Sequence, residues 1–219
     1  MAAQDLDAEV KRADPDRWLA SRFIADRRAR EGVIALYALD HQLARAEALA
    51  ANPLAAEIRL TWWRDMAAAG AAPGHPLAET LQRRGLLGEA LAELIEARIQ
   101  ALGPMDAEGA LAWARQVQGA LAVLGGRILG AAAEAEPALA RAGAVWGLVL
   151  LRRRERMAAA DLEPLIAEQL ALASEACRAL PSSVYPAALC ATLARAGARR
   201  VGAFETRLRL AWAVMTGRL

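Results

Sequence analysis

The chain is poor in the residues that most often carry chemistry. Two cysteines and two histidines in 219 residues cannot assemble a Cys/His metal site. Cys177 and Cys190 both stand in apolar helical patterns, which predicts small buried hydrophobes in a reducing compartment. Aromatics make up only 5% and are not interleaved with basic residues over any long stretch, which argues against a single-strand nucleic-acid groove. Alternating strand patterns and internal repeats are absent. No uncharged apolar run reaches the ~18–20 residues of a spanning helix. The longest, Ala142 to Leu151, reads as a buried core helix. Residues Met1 to Arg12 are polar and acidic, unlike a secretory signal. Gly125-Gly126 lies within a helical pattern rather than after a strand, so it is no phosphate loop, and Ser182-Ser183 reads as a helix cap with no histidine–acid pair nearby.

What is present favours helix. The chain is 56% hydrophobic, dominated by alanine and leucine, both strong helix formers. Net charge is +2, and Lys11 is the only lysine among 27 basic residues, too mild a balance to argue for nucleic acid. The expectation is an all-α protein with one domain over residues 1–219, of which 1–13 form a flexible tail. Its expected location is cytoplasmic, with peripheral contact at the inner membrane left open.

Caps, prolines and glycines divide the chain into helices. Asp14-Pro15 predicts a helix to about Arg30, with Gly32 as a kink before a second to about Ala50. Asn52-Pro53 opens another to about Ala69, followed by a loop from Gly70 to Pro76. Further helices are predicted over 77–84, 86–102, 107–132 and 136–152, with three more beginning at Asp161, Pro181-Ser182 and Ala198. Gly119, Gly125 and Gly126 cost helix stability, so close packing against a neighbour is expected there. In the 86–102 segment, Glu89, Glu93, Glu96 and Gln100 share one face and Leu87, Leu91, Leu94 and Ile95 the other. That makes the acidic stripe a solvated surface.

Two segments carry a resemblance. Leu36-Tyr37-Ala38-Leu39-Asp40-His41-Gln42-Leu43 and Gly143 to Arg152 resemble the two signature helices of the squalene/phytoene synthase family. The string Asn52-Pro53-Leu54, Glu57 to Leu60 and Trp62-Trp63-Arg64-Asp65 resembles its branch of respiratory complex I assembly factors. The resemblance implies an isoprenoid synthase-type bundle of roughly eight to ten helices around a central apolar cavity. In family enzymes each signature helix carries aspartates four apart, which hold magnesium and a prenyl diphosphate. Here the matching positions are Ala44 and Ala48, then Arg153 and Met157, with Glu155 the lone acid of the second site. The Arg-x-Tyr-Leu-Pro segment that follows in typical enzymes is missing between Met157 and Pro164. Asp40 and Glu47 flank the first site but stand seven apart, too far to act as a helical chelating pair.

The expected protein is therefore a non-catalytic family member with no catalytic residue, metal or cofactor. By resemblance it is an assembly or accessory factor for a respiratory complex, with an isoprenoid or lipid as ligand; the alternative is a prenyltransferase with atypical metal ligands. Arg152, Arg153, Arg154 and Arg156 are the candidate anion or headgroup site, although a helix C-terminus favours cations in any case. Tyr37, His41, Arg59, Trp62, Trp63 and Arg64 are the candidate partner surface or cavity. Adjacent tryptophans point about 100° apart, so one of Trp62 and Trp63 is expected in the core and the other at an edge. Trp18, Trp113, Trp146 and Trp212 are assigned to packing.

Overall fold

The computed structural model describes residues 5–48, 52–71, 74–154, 156–197 and 202–219, except the side chains of 159 and 160. Ala50, Ala72, Pro73, Glu155 and Ala198, which figured in the sequence expectations, lie outside them. Among the described residues there is no strand. The chain forms two compact units, Met1–Trp18 with Asp26–Gly103, and Leu19–Ala25 with Pro104–Leu219.

In the first unit, α1 (Leu6–Ala13) occupies most of the expected tail. Asp5 caps it by accepting the Ala8 N–H at 3.1 Å, and Val10 is buried, which is why this polar segment is ordered as a helix. The first turn of α2 (Pro15–Ser21) follows Asp14, which accepts the Arg17 N–H. The long helix expected from Pro15 instead stops at Ser21. Asp26 restarts it by accepting the Ala29 N–H, opening α3 (Arg27–Ala48). Gly32 is no kink; it is buried within α3, where every residue through Asp40 is also buried. α4 (Pro53–Ala69) has the predicted Asn52 cap, with Gly70 at φ 63° ending it. α5 (Pro76–Arg83) follows, and α6 (Glu89–Gln100) begins three residues late because Gly88 sits at φ 150°, outside helical space.

In the second unit, Asp106 caps α7 (Ala107–Trp113) by accepting the Gly109 N–H. The helix widens to a π-helical turn over Ala114–Gly119, then continues as α8 (Ala120–Ile128). α9 (Glu136–Arg153) is buried at every residue from Ala142 to Arg152. α10 (Ala159–Ala176) and α11 (Ala203–Thr216) follow. The helix expected at Pro181 is a run of tight turns, with 3-10 segments at Tyr185–Ala187 and Leu189–Ala196. Pro186 lacks the N–H that an α-helix begun at Pro181 would use to bond the carbonyl of Ser182. Eleven α-helices are thus present among the described residues, more than the eight to ten expected.

Glycine sets the closest approach. A Cβ on Gly143 would strike the Gln118 carbonyl and lie 2.7 Å from the Ala122 Cβ; one on Gly147 would lie 3.0 Å from Ala114 and Gln118. Gly119 meets the Ala140 carbonyl in return, at 2.9 Å from its would-be Cβ. α9 and the π-helical turn are therefore pressed backbone to backbone. Gly125 is different: its nearest neighbour would be the Ala187 Cβ at 3.8 Å, an ordinary contact. Gly143→Ala is expected to lower stability by about 1–3 kcal/mol through overpacking. Gly125→Ala should raise it by about 0.5–1 kcal/mol through helix propensity. Urea unfolding of the two variants measures both signs.

Candidate functional site

The signature helix α3 is largely apolar through its buried half, Gly32 to Asp40, and Asp40 is the one carboxylate there. Burying a carboxylate is costly unless it is paired and hydrogen-bonded. Asp40 Oδ2 accepts from Arg17 Nη1 at 2.7 Å, and Oδ1 accepts a short bond from Arg98 Nη2. Arg98 Nη1 also donates to Glu47 Oε1 at 2.7 Å. The result is a desolvated chain of alternating charge, Arg17–Asp40–Arg98–Glu47, drawn from α2, α3 and α6. Burial pushes the Arg98 guanidinium pKa down, but the Asp40 and Glu47 carboxylates more than offset it, so it stands above its ordinary value. Arg17 also lies over the Tyr37 ring, 4.9 Å from its centroid, and Tyr37 is itself buried.

Asp40 and Glu47, two turns apart, are thus brought together by a third residue. Sequence reasoning missed Arg98, although a signal was there. It continues the apolar face Leu91, Leu94, Ile95 at the next helical step, a position where an exposed arginine does not belong. Ala44 is half-buried and Ala48 exposed.

The other side of α3 opens on a cleft of about 460 Å³, lined by Gln42, Arg45 and Ala46 with Ile58, Arg59, Trp62 and Trp63 of α4. Trp63 is 7% exposed and Trp62 47%, the expected division into core and edge. Their rings meet edge-on at 5.0 Å, and Trp63 packs the same way on His75 at 4.8 Å. Arg64 is bound to Asp65 and, at 2.7 Å, to Glu96, whose carboxyl it holds below its ordinary value by hydrogen bonding. The acidic stripe of α6 is solvated as expected, with Glu96 engaged by Arg64 and by Gln100, which donates to it at 3.2 Å. His41 is half-buried on α3.

The arginines at the end of α9 do not form one surface. Arg152 is buried, donating to Glu163 Oε1 at 2.7 Å and by a short bond to the Gly197 carbonyl. Arg153 lies 4.8 Å over the Trp146 ring. Arg154 is exposed and Arg156 half-buried. Of the four arginines expected at a headgroup site, Arg152 is thus buried and paired inside the fold. Packing holds for Trp113 and Trp146, and Trp18 donates its N–H to Asp7 at 2.9 Å. Trp212 breaks the expectation, at 63% exposed.

The squalene/phytoene synthase family profile matches residues 10–163, which span both signature helices. The chain belongs to the squalene/phytoene synthase family. Its all-α architecture is the isoprenoid-synthase type of that family. Comparison with curated proteins and with solved structures yields no match. The family's magnesium does not fit the residues present. Ala44 and Ala48 offer no oxygen, Arg153 brings the wrong sign, and Asp40 and Glu47 already serve Arg98. Among the described residues, no group of three His, Cys, Asp or Glu side chains is placed to hold a metal ion. No helix among them is long and apolar enough to cross a membrane.

Arg98→Met leaves Asp40 and Glu47 without their shared cation and is expected to cost about 3–5 kcal/mol. Arg64→Met breaks only solvent-exposed pairs and should leave the unfolding midpoint close to that of the unaltered chain. Urea midpoints of the two variants check the contrast.

Proposed function

We propose that this protein is a non-catalytic member of its family, serving as an assembly or accessory factor for a respiratory complex and binding an isoprenoid or other lipid. One observation carries the first part: the carboxylates of the first signature helix are occupied by arginine. Ionising an allylic diphosphate places growing negative charge on the leaving group, and family enzymes meet it with carboxylate-held magnesium. Here Asp40 and Glu47 are engaged by Arg98, the neighbouring Ala44 and Ala48 lack donors, and Arg153 and Met157 stand at the second site.

The accessory role rests on the resemblance of residues 52–65 and 143–152 to the assembly-factor branch. The cleft along the first of these segments adds chemical support. Ile58, Trp62 and Trp63 make an apolar wall, and Arg45 and Arg59 stand at its edge. That pairing suits an apolar tail with an anionic head, and exposed tryptophan and arginine are also common anchors for a protein partner. Tyr37 and His41, on α3, are not among the residues that line the cleft. The proposed location is the cytoplasmic face of the inner membrane, by peripheral association.

Purified protein incubated with farnesyl or geranylgeranyl diphosphate and magnesium is expected to release no diphosphate above a protein-free control. Release that a chelator abolishes would overturn the non-catalytic reading. Affinity capture from native membranes should recover respiratory-chain subunits, and Arg59→Glu with Trp62→Ala should reduce that recovery severalfold. Capture without any respiratory-chain subunit counts against the accessory role.

A further inference from the structure

α11 turns its larger apolar side chains outward. Its buried face is small and mixed: Thr206, Leu210 and Ala213. Its outer face carries Phe204, Leu208, Trp212 and Met215, exposed by 74%, 56%, 63% and 74%. Spaced four, four and three residues apart, these form one continuous stripe at about 100° per residue, opposite the buried side. Four large apolar groups in a row on an exposed helix are not the scattered hydrophobes of an ordinary surface.

Charge selects what covers the stripe. Residues 202–219 contain three arginines and a single acid, Glu205. Arg207 falls on one flank of the stripe and Arg209 on the other, by the same helical spacing. Glu205 pairs with Arg209 at 2.8 Å, which neutralises both groups within the helix and leaves Arg207 and Arg218 as the segment's excess positive charge. Arg218 follows the left-handed Gly217 that ends α11. An apolar stripe holding tryptophan and phenylalanine, edged by arginines whose stems reach toward headgroups, is the chemistry of a helix lying in a bilayer interface. The excess of positive charge favours an anionic leaflet.

We propose that α11 docks this protein on the surface of an anionic lipid bilayer, with Phe204, Leu208, Trp212 and Met215 at the boundary between headgroups and acyl chains. The attachment is reversible, since one 14-residue helix inserts along a single face. It rests on α11 alone and stands or falls independently of the accessory role.

Vesicle flotation tests it, using phosphatidylcholine alone and phosphatidylcholine mixed with phosphatidylglycerol. The wild-type chain is expected to bind the mixed vesicles at least about tenfold more tightly than the neutral ones. The triple variant Phe204→Ser, Trp212→Ser, Met215→Ser should lose at least about tenfold in binding while keeping its helical circular dichroism and Tm, because the replaced groups are exposed. Arg207→Glu should weaken binding to the mixed vesicles only. Wild-type protein that floats with neither vesicle, or a triple variant that floats as well as wild type, overturns the proposal. So does a wild-type dimer that the triple variant abolishes while vesicle binding is absent, because the stripe then covers a second copy.

Discussion

The first unit is organised around one guanidinium. Arg98 has no exposed side-chain surface, and it binds two carboxylates of α3 that lie two helical turns apart. Removing four charged groups from water carries a penalty of several kcal/mol per ion, so such a chain persists only when every member is closely paired. Two arginines balance two carboxylates, and the charges alternate along the chain. Asp14 adds a further acid beside Arg17, at 3.8 Å from its Nε. In a family whose signature helices ordinarily gather carboxylates to attract divalent ions, this pairing has a direct consequence. The cation that holds the acids here is covalently part of the protein, and the neighbouring positions carry the methyl groups of Ala44 and Ala48.

The second unit uses the same device at the other signature helix. Arg152 is buried beside Glu163 and a backbone carbonyl, and Arg153 covers the face of Trp146. Guanidinium suits both places because it forms several planar hydrogen bonds and also stacks on aromatic rings, which an ammonium does less well. The near-complete replacement of lysine by arginine thus supplies structural cations in each unit. Charge that resembles a ligand-binding cluster in the sequence is, at Arg152, internal cement.

Legibility in the sequence divided along local and non-local lines. Asn52-Pro53, Asp106 and Gly70 each act within one turn of chain, and the helix ends they mark are where the sequence puts them. The all-α class follows from alanine and leucine, and the family from two strings on α3 and α9. The break at residues 22–25 was obscured because its sequence, Arg22-Phe23-Ile24-Ala25, contains no proline or glycine; Asp26 decides it by capping α3. Arg98 was hidden for a different reason. Its place on the apolar face was visible, but its partners lie 51 and 58 residues earlier, beyond the reach of any spacing rule. Trp212 was misplaced on similar grounds: helical periodicity fixes which residues share a face, not which face meets the protein.

The direction of those faces bears on what the molecule does. Each unit buries a few charges in its apolar core and exposes a stripe of large apolar groups: Leu54, Ile58 and Trp62 line up on α4, as Phe204, Leu208, Trp212 and Met215 do on α11. Each inversion leaves apolar area in water, at roughly 25 cal/mol per Å², that an ordinary core-facing helix would have buried. Two such stripes on different helices, beside signature positions that lack the family's acids, are the surface features on which the proposed accessory and membrane-docking roles rest. The buried charges Arg17, Asp40, Arg98 and Arg152 are each paired inside the fold, while the large apolar groups of α4 and α11 face solvent.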